Sequence, residues 1–157
     1  MKKAYIFLAE GFEEIEAVTP LDLLRRAGVD AKFVSISDNL QVRGAHNILY
    51  TADMYFRYDA LLDADILILP GGMPGTTNLS SHEELQKLLL QFYAYKKYIA
   101  AICAAPLIFG KLGILKNRTA TIYPGMEAHL VGANPSTNTV CIDDHVVTSR
   151  GPGTAVD

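Results

Sequence analysis

Cys103 closes the apolar run Tyr98-Ile99-Ala100-Ala101-Ile102 and opens the small-residue stretch Ala104-Ala105-Pro106. The pattern reads as a buried strand turning sharply into a helix over Leu107 to Leu112, stopped by Gly113. A thiol at that junction lies beside unpaired backbone N–H groups and the positive end of a helix, where an anion is favoured. The position therefore predicts a thiol that ionises readily, and the thiolate is the reactive form of cysteine. Cys141 falls mid-strand in a hairpin pattern and reads as structural.

Three further groups are candidates to accompany Cys103. Pro70-Gly71-Gly72 follows a buried apolar run, and glycines there let backbone N–H groups approach a neighbouring site and hold an oxyanion. An ordinary strand-ending turn has the same composition. GxGxxG and Walker spacings are both missing, so no phosphate loop is indicated. The carboxylates Glu10, Glu13, Glu14 and Glu16 follow the first strand. Most suit a solvated helix start. One that turned inward beside a thiolate would have its pKa raised by desolvation and by the like charge, and could hydrogen-bond the sulfur; spacing alone leaves all four open. Of the histidines, His46, His82 and His145 lie in unrelated contexts, with no shared metal-ligand spacing. His129 is the remaining candidate base.

Elements must bring these groups together. The 157 residues are 50% hydrophobic, enough for one compact domain. Net charge is -3 with no basic stripe, which gives no electrostatic support for nucleic-acid or anionic-membrane binding. Two distant cysteines without CxxC spacing fit a reducing, cytoplasmic setting. The short apolar start, Ala4 to Ala9, runs at once into glutamates and reads as a first strand rather than a signal peptide.

Further strands are expected at 31–37, 65–69, 99–102 and 119–122, with a hairpin joining 139–142 to 146–149 around Asp143-Asp144-His145. The segment 41–51 looks like two short strands or an excursion. Helices are expected at Leu21 to Ala27 and, with Ser81 and Glu84 as a capping box, from Ser81 to Lys97. Thr19, Pro20 and Asp22 suit the N-cap, N1 and N3 positions of a helix that kinks or restarts at Pro20. Apolar strands alternating with helices imply a mainly parallel sheet covered on both faces, with ligands at the carboxyl ends of the strands.

The assembled pattern resembles the ThiJ/PfpI superfamily, nearest its DJ-1-like branch. The resemblance rests on Ala9-Glu10-Gly11-Phe12-Glu13-Glu14-Ile15-Glu16, Arg25-Arg26-Ala27-Gly28 and Leu69-Pro70-Gly71-Gly72, then on Ala100-Ala101-Ile102-Cys103-Ala104-Ala105-Pro106 and Thr148-Ser149-Arg150-Gly151-Pro152-Gly153-Thr154. It implies a flavodoxin-like α/β sandwich, one domain over residues 1–157, and a homodimer. It further implies that Cys103 is an oxidation-prone cysteine on a nucleophile elbow, that Glu16 is the acid bonded to it, and that the N–H groups of Gly72 and Ala104 form an oxyanion pocket. Gly71, Tyr123 and Arg150 are expected around that pocket.

The implied activities are a cofactor-independent and metal-independent enzyme acting on small reactive carbonyls or their glycated adducts, of glyoxalase or deglycase type, or an oxidative-stress sensor or chaperone. Two departures matter. Ala104 stands where the protease-like branch carries a histidine, which disfavours a Cys–His peptidase. Tyr123 stands where animal members of the DJ-1-like branch carry one, and a tyrosine hydroxyl donates a hydrogen bond but is a poor base near neutral pH. The family also follows Thr154 with a long helix packed on the sheet, which residues 1–157 lack; truncation of the sequence is the preferred reading, and the alternative is a fold without that covering element, which would expose apolar sheet surface.

Overall fold

A computed structural model describes all 157 residues. In chain order the strands are β1 (Lys3–Leu8), β2 (Asp30–Ser35), β3 (Gln41–Arg43), β4 (Leu49–Thr51), β5 (Met54–Tyr55), β6 (Ile66–Leu69), β7 (Tyr98–Ile102), β8 (Thr119–Ala120), β9 (Asn134–Pro135), β10 (Val140–Asp143) and β11 (Val146–Ser149). The helices are α1 (Glu14–Arg26), α2 (Tyr58–Leu61), α3 (Gly75–Ser81), α4 (Glu83–Ala94) and α5 (Pro106–Lys111). Seven strands form the main sheet in the order β10-β11-β7-β6-β1-β2-β5. Every pairing in it is parallel except the β10–β11 hairpin. The expected flavodoxin-like α/β architecture is present.

Strand alternation sorts the core into two layers. Along β1, Tyr5 and Phe7 join a larger cluster with Leu67, Leu69, Leu88, Phe92, Ile99 and Phe109, while Ala4, Ile6 and Leu8 face Ala17, Leu21 and Phe33. Both layers bury these side chains almost completely, and burial on both sides is why the strands read as continuous apolar runs. On the α1 side the covering is incomplete. A groove of about 210 Å³ runs over Ile68, Ala100, Ile102, Val147 and Ile142, with Glu16 and Pro20 of α1 also in its lining.

Several local expectations are corrected. Helix α1 does not restart at Pro20 but begins at Glu14 and carries Pro20 in its interior. Pro20 has no N–H to return to the carbonyl of Glu16, so the helix tolerates one missing bond where its first turn is already anchored. The cap of α4 is His82 rather than Ser81: His82 Nδ1 accepts from the Leu85 N–H at 3.1 Å, while Ser81 Oγ donates back to the Thr77 carbonyl. Helix α3 is an element the periodicity did not show, because Gly-Thr-Thr-Asn-Leu-Ser-Ser has one large apolar residue and low helix propensity. The strand expected at 119–122 is limited to Thr119–Ala120 and pairs with β9 outside the main sheet. The β3–β4 segment is an antiparallel hairpin.

Candidate active site

The elbow follows from how β7 ends. Ile102 is the last strand residue, and Cys103 then takes φ +62°, a left-handed conformation that L-residues other than glycine adopt rarely. Two backbone bonds hold it there. The Cys103 N–H donates to the Ser149 carbonyl at 3.0 Å, extending the β7–β11 pairing by one residue, and its carbonyl accepts from the Tyr123 N–H at 2.8 Å. The chain then closes a turn, with the Ala105 N–H on the Ile102 carbonyl, before Pro106 starts α5. The side chain is thus lifted off the sheet, at its carboxyl edge.

Glu16 reaches the same place from the first turn of α1. It is fully buried, and its Oε2 accepts from the Gly71 N–H at 2.8 Å. The Glu13 N–H donates to the Gly71 carbonyl, so the segment after β6 is stitched to the start of α1 through both polar groups of one residue. Gly72 has φ +88°, and a Cβ there would sit 2.3 Å from the Glu13 nitrogen. Only glycine fits that position. The N–H groups of Gly72 and Ala104 both face the Cys103 sulfur.

Electrostatics couple the pair. Burial raises the Glu16 carboxyl to about 7 against the opposing bonds from Cys103 and Gly71. Its Oε1 is buried with no hydrogen-bond partner, which makes the ionised form costly. Burial also pushes the Cys103 thiol up to about 12, reinforced by the Glu16 charge and its hydrogen bond and opposed by the Ala104 and Gly72 amides. The expectation of a readily ionised lone thiol is therefore corrected. Helix α5 is only six residues long, and desolvation outweighs the amides. Between about 7 and about 12 the two groups carry one negative charge between them.

A cavity of about 270 Å³ opens over the sulfur, lined by Gly72, Met73, Cys103, Ala104, Tyr123 and Met126. Of the residues expected around the site, Gly72, Ala104 and Tyr123 line this space, and Gly71 lies behind it against Glu16 and Cys103. Arg150 does not line it; its backbone N–H bonds the Thr139 carbonyl. His129 is exposed on a single 3-10 turn (Glu127–His129) and makes no bond to Cys103. His145 is buried at the opposite end of the sheet between Asp144 and the Tyr93 carbonyl. The linings from Met73 and Met126 went unread. Met73 directly follows Gly72 and was findable by adjacency, whereas Met126 is brought in by a loop without periodic signal.

Glu13, Glu14 and His46 form the one grouping of side chains close enough to hold a cation. They already satisfy one another. His46 Nδ1 lies 2.9 Å from Glu14 and 3.5 Å from Glu13, and the His46 backbone N–H donates to Glu14 at 2.8 Å. No helix is long and apolar enough to cross a membrane.

A parallel α/β sheet that presents a left-handed cysteine at a strand end, backed by a buried carboxyl and two free amides, defines a nucleophile-elbow protein of the flavodoxin-like class. The chain belongs to the DJ-1/PfpI family, whose model matches residues 2–157. It is 33% identical to the Parkinson disease protein 7 homolog of Danio rerio, over 99% of this chain and 85% of that one. It is 38% identical to protein DJ-1 homolog B of Arabidopsis thaliana, of whose length it spans only 36%. Among solved structures, oxidized Toxoplasma gondii DJ-1 superposes with a TM-score of 0.92 at 33% identity, covering 99% of this chain and 85% of that one.

Proposed function

We propose that the protein is a cofactor-independent enzyme that converts small reactive carbonyls, 2-oxoaldehydes above all, through Cys103 with Glu16 as acid and base. The observation that carries this reading is the contact between a fully buried carboxyl with a pKa of about 7 and a thiol that cannot ionise alone. A base poised near neutral pH is what a buried thiol needs in order to attack.

Glu16 takes the thiol proton as sulfur bonds to the aldehyde carbon, and the carbonyl oxygen becomes an oxyanion facing the Gly72 and Ala104 amides. Glu16 returns that proton to give a hemithioacetal. The carboxylate then removes the carbinol C–H proton, and the resulting enediol is reprotonated at the neighbouring carbon. The product is a thioester of a 2-hydroxy acid. Water cleaves it, releasing the acid and restoring the thiol, so one water is consumed and no oxidant is needed. A glycated adduct would enter the same sequence after releasing its amine.

Lactate formation from methylglyoxal tests this. The wild type should exceed Cys103→Ser by at least about 100-fold and Glu16→Gln by a similar factor, the range general acid–base catalysis supplies. Equal rates in wild type and Cys103→Ser would overturn the reading.

A second reading, an oxidation sensor, draws on the incomplete burial of Cys103 and on the similarity to a DJ-1 structure described as oxidized. Cys103 would pass through sulfenic to sulfinic acid, held by the Gly72 and Ala104 amides. Intact-mass measurement after mild peroxide should place two oxygens on Cys103 and none on buried Cys141; the reverse pattern sinks it. A Cys–His peptidase has no histidine bonded to Cys103 and is the least supported of the three. We place the chain in the cytoplasm, where free cysteines are the norm. We also propose a homodimer, formed through exposed Ile15, Ile48 and Leu49 on α1 and the β3–β4 hairpin. A monomeric mass by light scattering would rule the dimer out.

A further inference from the structure

We infer that Met73, Tyr123 and Met126 select the substrate, restricting Cys103 to small carbonyl compounds whose substituent is apolar or aromatic rather than hydroxylated or charged. This rests on the carbonyl-adding role proposed for Cys103 and adds to it which carbonyls are accepted. The polar groups converging on the sulfur are backbone N–H groups, and the reacting oxygen uses them. Everything else the substrate meets is two thioethers, the Tyr123 ring with its hydroxyl, and the Ala104 methyl. A carboxylate or a run of hydroxyls set against these thioethers would have the Tyr123 hydroxyl as its one side-chain partner and would give up water for the rest.

The wall is built rather than incidental. Met73 follows Gly72 directly, and its sulfur accepts from Thr77 Oγ1 at 3.6 Å. The Tyr123 ring lies over Gly151, whose added Cβ would meet it at 3.4 Å, while its N–H is fixed on the Cys103 carbonyl. Met126 is folded back by the bond from its own N–H to the Tyr123 carbonyl at 3.0 Å, in a turn braced by the Gly125 N–H on Glu127 Oε1. The charged residues of this corner, Glu127 and Arg150, stay outside the lining. The cavity, about 270 Å³, is also below the usual range for ligand sites, which begins at roughly 300 Å³.

Two measurements on the full chain test this. In the first, Cys103 alkylation by iodoacetanilide and by N-(2-hydroxyethyl)iodoacetamide is followed by intact mass, each rate divided by that of free glutathione. Both reagents are neutral, so the Glu16 charge does not bias the ratio. In the second, kcat/KM is compared for phenylglyoxal and for the polyhydroxylated 3-deoxyglucosone. We expect the apolar partner to be favoured by at least about 10-fold in each, the scale on which apolar pockets discriminate. Met126→Asn and Met73→Gln should shrink both ratios while retaining a folded melting profile. Ratios near one in the wild type, or ratios that the two variants leave unchanged, would overturn the assignment. If no 2-oxoaldehyde is consumed above the Cys103→Ser background, the enzymatic reading falls, and the alkylation ratio alone still decides whether the wall selects.

Discussion

Gly71 and Glu16 fit each other without slack: the Gly71 amide donates to Glu16 Oε2 at 2.8 Å, and a Cβ on Gly71 would stand 2.6 Å from that same oxygen. The same Cβ would also stand 2.7 Å from the Cys103 Cβ. Gly71→Ala should therefore displace one member of the pair. The expected result is a loss of Cys103-dependent turnover of about 100-fold or more, as when a base leaves reach of its proton. Overpacking should cost about 1–3 kcal/mol in urea denaturation. Full activity in this variant would show that the pair does not act together.

Glu16 should make the fold less stable as pH rises. Its folded pKa, about 7, lies above the ordinary carboxylate value of 4.5, so the folded state holds the proton more tightly than the unfolded chain. Stability is then fully present below about 4.5 and declines as pH rises through about 7. Glu16→Gln, which keeps an acceptor for the Gly71 amide, should remove that decline. It should gain up to about 3 kcal/mol over wild type at pH 8.5 and close to nothing at pH 4.5, by the conversion of pKa shift to free energy. Denaturation midpoints of both proteins across this range are the measurement.

The rate of Cys103 chemistry should follow the ionisation of Glu16. If the carboxylate is the base, kcat/KM for methylglyoxal rises with pH, has its midpoint near 7, and levels off above it. Glu16→Gln should abolish that step. A wild-type profile that rises only in the range of a free thiol would assign the proton transfer to solvent.

The hairpin turn after β3 should respond to pH in the same sense as Glu16, through a base rather than an acid. His46 is raised by its hydrogen bond to Glu14 and by the charge of Glu13. Glu14, although burial works against it, is held below the usual carboxylate range by bonds from His46 and the backbone. The contribution of His46 is thus present below about 6.5 and disappears as pH rises through its raised folded value. His46→Ala should lower the melting temperature at pH 5.5 and leave it unchanged at pH 9. Equal effects at both would mean that the ring acts by packing.

The groove on the α1 side of the sheet should bind an apolar dye. Ile68, Ala100, Ile102 and Val147 line it with almost no polar partner. ANS fluorescence should rise on addition of the folded protein and fall back in Val147→Asp. No enhancement in the wild type would mean that this face is covered in solution.

The cysteine was legible because strand ends and small-residue turns are local. Tyr98 to Ile102 and Ala104 to Pro106 carry their conformation in their own composition. Choosing Glu16 among four glutamates is a different problem. It depends on α1 beginning at Glu14 and running through Pro20, which puts Glu16 on the sheet side, whereas local chemistry allowed either a kink or a restart at Pro20. The resemblance to a family supplied what spacing did not.

Burial is what the sequence could not convey about charge. A strand-to-helix junction promises amides and a dipole, and Gly72 and Ala104 do present theirs. The opposing desolvation arises from α1, β6 and β11 meeting around the sulfur, and no segment records it by itself. Met126 is a similar case, since its place over Cys103 depends on the Tyr123 N–H pairing with a carbonyl twenty residues back.

The left-handed turn at Cys103 is pinned through its N–H to Ser149 and through its carbonyl to Tyr123, and the thiol takes no part in either bond. The socket is therefore independent of what it carries. Asn and Asp are the non-glycine residues that adopt this backbone most readily, so a carboxylate installed there would project into the same cavity from an unchanged mount. The backbone mount of the elbow is thus separable from the side chain it presents.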